Sequence, residues 1–413
     1  MPDLGQTAQA YESNLAMTRD LKLMMISIFL WGVGEGMFIY LYPLYLAELG
    51  ADAVTIGSIM SLTAVGLAAA HIPAGWLADR LGRKEVLAAG WIMATAAVLA
   101  MYLAPDLQWF TLGLVLYLFT GYVMSPLSAY VTEARGKLTV PRALTLNSAA
   151  YAAGTLFSPA LGGQIARALG LRAVFGTSLI VLVLSTVVLL VMGRQPATVP
   201  QAGVNRYRAL LVNRRFVGLM ALSFGAAFAF QVGYPLAPNF LADVRGYDPG
   251  SVGMLGSFNA LGITVLYVAA GHRTPRSAYL FAQALMAISL VILLSTGGLA
   301  WVALAFFCRG SWNLARMMTN AQVAPAVDRA ELGLAYGIAE SVMALTLILG
   351  PLAAGLLYAR APSLPFQVSL CLLAVTALLI WRFAPRPVPR LALQNQRAAA
   401  VGQAAENVEP PLH

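Results

Sequence analysis

The chain has 413 residues, 59% of them hydrophobic and only 10% charged, with a mean hydropathy of +0.74. A soluble domain carries about 25% charged residues, so this much apolar surface needs lipid to cover it. The formal net charge of +9 is read as basic loops on the inner side of a membrane, not as a nucleic-acid surface.

Twelve apolar stretches approach the roughly 20 residues that a membrane helix needs. They are 23–45, 54–74, 86–103, 109–130, 144–166 and 173–192, then 216–240, 252–270, 278–296, 299–322, 334–357 and 366–381. No segment alternates at period two with aromatic girdles, which argues against a β-barrel. With an inner N-terminus, only Arg167, Arg172, Arg245 and Arg360 of the 26 Lys and Arg fall outside, and Arg309 falls within a stretch. That asymmetry predicts an even number of crossings and both termini in the cytoplasm.

The first 20 residues are a polar tail, and the stretch after it is too long for a signal-peptide core. Inside that stretch Glu35 lies about 18 Å deep at 1.5 Å per residue, near the centre of the bilayer. Gly32, Gly34 and Gly36 flank it, and Trp31, Phe38 and Tyr42 share its face by helical spacing. Burial among aromatic rings disfavours a charged carboxylate, so Glu35 could load and release a proton. The alternative is a permanently neutral Glu35 bonded to backbone that the glycines free.

Between the second and third stretches runs Gly75-Trp-Leu-Ala-Asp79-Arg80-Leu-Gly82-Arg83-Lys84. This short charged turn resembles the loop between helices two and three of the major facilitator superfamily. The resemblance implies an all-α integral membrane protein, with twelve transmembrane helices in two six-helix pseudo-symmetric bundles. It further implies that Asp79 faces the N-terminal end of helix eleven near 333–334, and that Arg83 pairs with Glu133 at the inner end of helix four. Such contacts would shut the cytoplasmic side. The alternative role of the turn is to fix topology through Arg80, Arg83 and Lys84.

Helix four adds Tyr122 and Ser125 to Glu133, and helix five carries Pro159 where helix eleven carries Pro351. After six stretches comes a Pro-, Gln- and Arg-rich connection. The expected division is a tail over 1–20, bundles over 21–193 and 216–384, a cytoplasmic linker over 194–215 and a tail over 385–413. The repeat of the charged turn between helices eight and nine, Gly271-His-Arg273-Thr-Pro-Arg276, has no acid, so the gate is expected to be one-sided.

Helix seven presents Phe224, Phe228, Gln231 and Pro235 on one face. In helix ten, Arg309, Trp312, Asn313, Arg316 and Asn320 fall on one face by spacing. A polar stripe of that length avoids lipid, and two arginines suit an anionic or polar-acceptor cargo. Glu340, about 9 Å into helix eleven, is expected to pair with Arg309 or Arg316. Arg309 could instead simply neutralise Glu35.

Phosphate-cradling and nucleophile-elbow motifs are absent, and Cys308 and Cys371 form no metal-ligand cluster. No cofactor, metal or enzymatic activity is expected. The sequence therefore predicts a secondary active transporter of a small organic molecule, coupled to protons through Glu35 and leaning to drug/proton efflux. The alternatives are uptake of an anionic metabolite, by proton symport or facilitated diffusion, and a non-transporting receptor or lipid scramblase. Lipid, cargo and protons are the expected partners, and a monomer the expected functional unit. An Arg-heavy basic set fits the inner membrane of a GC-rich bacterium.

Overall fold

The computed structural model describes residues 17–194, 212–270, 274–323, 326–327 and 332–383. Among them there is no strand, and the helices run as twelve antiparallel rods. The first six are α1a (Arg19–Phe38) with α1b (Tyr42–Glu48), α2 (Ala53–Leu81), α3 (Arg83–Leu103), α4a (Leu107–Phe119) with α4b (Met124–Ala134), α5 (Val140–Leu169) and α6 (Leu171–Leu190). The second six are α7a (Arg214–Gly233) with α7b (Ala237–Arg245), α8 (Pro249–Ala270), α9 (Pro275–Ser295), α10a (Leu299–Arg309) with α10b (Ser311–Val323), α11 (Leu332–Arg360) and α12 (Leu364–Phe383).

Polar residues start many rods by accepting from free backbone N–H groups. Thr18, Asp52, Asp106, Asn213 and Thr274 do so for α1a, α2, α4a, α7a and α9. Eight of the rods are long and apolar enough to cross a membrane, and α4 makes nine when its two bent parts count as one span. Among the described residues α2 contributes only a shorter apolar helix, Ala53–Leu67, and the rods α5 and α10, which carry Asn147, Tyr151, Arg309 and Asn313, are not among them either. Many rods also extend about a turn beyond their apolar stretch, because polar end turns stay helical.

Four rods are broken, and they are the first of each set of three: α1, α4, α7 and α10. Proline begins α1b and α7b near their N-termini (Pro43, Pro238), where its missing N–H is not needed. At α10 the interruption falls on Gly310, where a Cβ would meet Ile263 N of α8 at 2.4 Å.

The charged segment is not a ten-residue turn. Residues 75–81 continue α2, and the joint is Gly82 alone, with φ +101° and ψ 149°. That conformation belongs to glycine. Gly170 joins α5 to α6 in the same manner, at φ +87° and ψ 160°.

The end of the molecule that carries Gly82 is called here the turn end, and the opposite one the far end. At the far end the two sets of six rods meet along two matching seams. A Cβ on Gly57 of α2 would lie 2.4 Å from Pro351 O of α11, and one on Gly253 of α8 would lie 2.4 Å from Pro159 O of α5. Gly355 and Gly163 continue the seams against Ala53 O and Gly253. The paired positions of Pro159 and Pro351 thus have a structural meaning: each carbonyl lies under a glycine of the opposite half. Asn239 Nδ2 of α7b adds a hydrogen bond of 3.1 Å to Pro43 O of α1b.

Candidate functional site

Between the two sets of rods lies a cavity of about 700 Å³. Glu35, Tyr40 and Tyr151 wall it from the first half, and Tyr234, Arg309 and Trp312 from the second. Most of these groups stand at or beside the breaks in α1, α7 and α10. Glu35 lies in the last turn of α1a, Tyr40 in the break after it, Tyr234 at the end of α7a, and Arg309 is the final residue of α10a.

Glu35 is held by a rigid first half. Its Oε2 accepts from Trp31 Nε1 at 3.1 Å and from Tyr151 OH at 2.9 Å. The Trp31 ring is fixed against Trp91, with centroids 4.4 Å apart, and beside Tyr117. Trp91 in turn donates to Ser27 Oγ and Ser185 Oγ, each at 3.0 Å. Tyr151 comes within reach because α1a and α5 pack backbone to backbone. A Cβ on Gly32 would lie 2.6 Å from Tyr151 O, one on Gly154 2.4 Å from Phe29 O, and one on Gly162 2.0 Å from Met37 O. Small residues at four-residue spacing permit this approach.

Arg309 has a different environment. It is 3% exposed. Its Nη2 donates to Tyr234 O, and the guanidinium lies over the Tyr234 ring at 4.1 Å and the Phe306 ring at 4.7 Å. Nε and Nη1 are buried without a hydrogen-bond acceptor, and no acid pairs with Arg309 among the described residues. Rings on the guanidinium faces offset part of the lost hydration, but a buried cation without a counter-charge stays costly. Asn259 ties this pole to the other half. Its Oδ1 accepts from Tyr40 OH at 2.8 Å and Tyr234 OH at 3.3 Å, while its Nδ2 donates to Phe306 O at 2.9 Å.

Several sequence expectations change. Tyr42, Gln231, Trp312 and Asn313 line the cavity with Glu35 and Arg309. Trp31 and Phe38 do not; they are buried inside the first half, Phe38 against Tyr117 and Phe175, and Trp31 reaches the site only through its N–H. A helical face wide enough to include i−4 and i+3 spans both the cavity wall and the bundle core. Tyr122 turns to α3, its OH within 3.3 Å of a Cβ built on Gly90. Phe228 stacks on Phe224 at 6.0 Å. Glu340 pairs with Arg316 at 2.7 Å, not with Arg309, and both are roughly half exposed. They do not line the cavity, although Trp312 and Asn313, earlier on the same α10b, do. The side chains of Gly75, Asp79, Arg80, Ser125 and Asn320, and the segment 271–273, lie outside the described residues.

Near the joint at Gly82, Arg83 forms an ion pair with Glu133 and also donates to Ala129 O at 3.4 Å. Lys84 Nζ donates to the carbonyls of Leu190, at 3.1 Å, and Met192. The turn is thereby fastened to α4b and to the end of α6.

Tyr40, Tyr151, Tyr234 and Asn259 escaped the sequence reading. A signal for Tyr151 was present: Asn147, Tyr151, Thr155 and Ser158 recur at spacings of four, four and three, a polar stripe along one face of α5. Tyr40 and Tyr234 sit in breaks, where helical spacing carries no information, and Asn259 lies inside α8 with hydrogen bonds to both of them and to Phe306 O.

A family model described as Major Facilitator Superfamily matches residues 24–323 and 219–409. The multi-drug resistance efflux pump PmrA of Streptococcus pneumoniae is 27% identical over 161 residues, which are 38% of this chain and 40% of that protein. The chain thus spans two fifths of that curated relative's length. The crystal structure of the nucleoside transporter NupG has the same fold, with a TM-score of 0.74 at 13% identity, over 88% of this chain and 98% of that one. The D-xylose-proton symporter is similar at a TM-score of 0.67 and 15% identity, over 88% and 97% of the two chains. Twelve rods in two matching sets, a central cavity and a family match over most of the sequence lead to one conclusion: this chain is a multi-pass membrane protein that belongs to the Major Facilitator Superfamily.

Proposed function

We propose that the protein is a proton-coupled secondary transporter that exports a small organic molecule through the cavity between its halves. The observation that carries the reading is the placement of Glu35. Its carboxyl is at the cavity wall, held by two neutral donors, and no cation pairs with it among the described residues. Such a carboxyl can exchange a proton with water that enters the cavity. Repeated halves around a midplane site are the arrangement through which secondary transporters alternate access. The seams at Gly57 and Gly253 close the far end, and the Arg83–Glu133 pair and Asp79 form the gate at the turn end. In this reading the turn end is cytoplasmic, the bundles are 21–193 and 216–384, and the monomer is the working unit. Export is supported by the likeness to PmrA, an efflux pump.

The test is transport in reconstituted vesicles, with a panel of fluorescent dyes and aromatic carboxylates as cargo. Glu35→Gln abolishes accumulation driven by a pH gradient and leaves exchange of cargo at zero gradient intact. Gradient-driven accumulation that survives in Glu35→Gln refutes the proton role.

A second reading rests on Arg309. Its unpaired guanidinium favours a cargo that brings its own negative charge, and then uptake of an anionic metabolite by proton symport becomes the activity. Selective transport of the aromatic carboxylates over the cationic dyes would distinguish it from drug export.

A further inference from the structure

Away from the central cavity, α7a and α12 form a second recess of about 790 Å³ at the turn end. The two rods are pinned together deep in the molecule and splay towards that end. Ser369 Oγ of α12 donates to Ala229 O at 2.6 Å, and a Cβ on Gly233 would lie 2.5 Å from Ser369 Oγ. One helical segment nearer the turn end, a Cβ on Gly225 would lie 3.6 Å from Thr376 Cγ2. At Gly218 no described atom comes within 4 Å. The result is a wedge that opens as it approaches Arg214 and Arg215, which stand at its mouth.

The chemistry of the wedge is graded. Its mouth carries two exposed guanidinium groups. Its walls are apolar: Leu379 and Phe383 line it and remain 39% and 62% exposed. Thr376 adds no free hydroxyl, because its Oγ1 accepts from Gln283 Nε2 at 2.8 Å and donates to Leu372 O at 2.8 Å. From Arg214 to Gly225 the wedge descends roughly 16 Å at 1.5 Å per residue. That is about half of a 30 Å hydrocarbon core, the depth of one leaflet.

We infer that this wedge is a binding site for an anionic glycerophospholipid of the turn-end leaflet. The phosphate lies between Arg214 and Arg215, and one acyl chain fills the slot beside Gly218 and Gly225. Basic recesses between membrane helices suit anionic headgroups, and phosphate is a natural partner for paired guanidinium groups. The two segments that adjoin the wedge in sequence are poorer occupants. The linker over 195–211 holds Arg206 and Arg208 and no acid, and Arg386 and Arg390 follow α12. The two arginines would repel all of them.

The experiment is native mass spectrometry of the full chain with dioleoylphosphatidylglycerol or dioleoylphosphatidylcholine added to the detergent. The wild type retains phosphatidylglycerol at lower added lipid than phosphatidylcholine. Joint Arg214→Gln and Arg215→Gln substitution weakens that retention roughly thirtyfold. Gly225→Leu, which fills the slot and leaves the arginines, weakens it as well. Arg194→Gln, an exposed cation near the same end and outside the wedge, changes nothing. Equal retention of the two lipids by the wild type overturns the site, as does unchanged retention in the double-arginine variant. So does full competition by soluble glycerophosphate, which would make it an anion site without an acyl slot. A disulfide between Asn205→Cys and Leu379→Cys, in a background of Cys308→Ser and Cys371→Ser, that forms equally well with and without phosphatidylglycerol means that the linker occupies the wedge; this too refutes the assignment.

Discussion

The two poles of the cavity are built on opposite principles. Glu35 receives two hydrogen bonds from side chains locked in a packed aromatic core. Arg309 has one backbone acceptor and two ring faces, with Nε and Nη1 left without acceptors. A satisfied polar group adds rigidity, whereas an unsatisfied buried charge stores a demand for a partner. The first half thus holds a group whose own chemistry can change, by gaining or losing a proton. The second half holds a group whose charge is fixed and which has no acidic partner among the described residues.

The largest effect that contrast predicts is on transport. Arg309→Gln lowers kcat/KM for an anionic cargo by roughly thirtyfold or more, the size expected when one member of a buried charge pair is lost. Initial rates in vesicles check it, and a rate unchanged within twofold would mean that the guanidinium never meets the cargo.

Stability separates the poles next. Glu35→Leu leaves the Trp31 N–H and the Tyr151 O–H without an acceptor, at about 1–3 kcal/mol for each orphaned group. Arg309→Leu removes an uncompensated charge and leaves stability unchanged or higher. Thermal unfolding of the two variants side by side reads the difference. A larger loss in Arg309→Leu than in Glu35→Leu reverses the assignment of which pole is satisfied.

Smaller changes refine it. Tyr151→Phe removes one donor and costs about 1 kcal/mol, read as a severalfold slower gradient-driven transport at an unchanged amount of folded protein. The smallest effect belongs to Glu133→Gln, whose pair with Arg83 is partly solvated. It costs less than about 1 kcal/mol of stability, while a gating role shows as a changed transport rate in the same variant.

The sequence disclosed these poles unequally. Because lipid imposes one requirement on every spanning segment, the apolar stretches read from the sequence overlap all twelve rods, although only eight or nine of the rods are long and apolar enough by themselves to cross a membrane. A charge in the middle of an apolar stretch exposed Glu35 and Arg309 for the same reason. The Arg83–Glu133 contact was reachable through the family resemblance. Helical spacing misplaced Trp31, Phe38 and Phe228, since it reports a shared face and not whether that face meets a cavity or a neighbouring rod. It also overlooked Tyr40 and Tyr234, which lie where the helix stops. The breaks in α1, α7 and α10 coincide with Pro43, Pro238 and Gly310, which helical spacing does not read.

The most direct test of alternating access uses Ser148, an exposed cavity-lining residue of α5. Ser148→Cys, in a background of Cys308→Ser and Cys371→Ser, is treated with a membrane-impermeant maleimide applied to one side of oriented vesicles at a time. The account predicts labelling from both sides, with Leu156→Cys on the outer surface of the same rod unlabelled from either. Labelling of Ser148→Cys from one side only, under every pH and cargo condition, or from neither side, would contradict it.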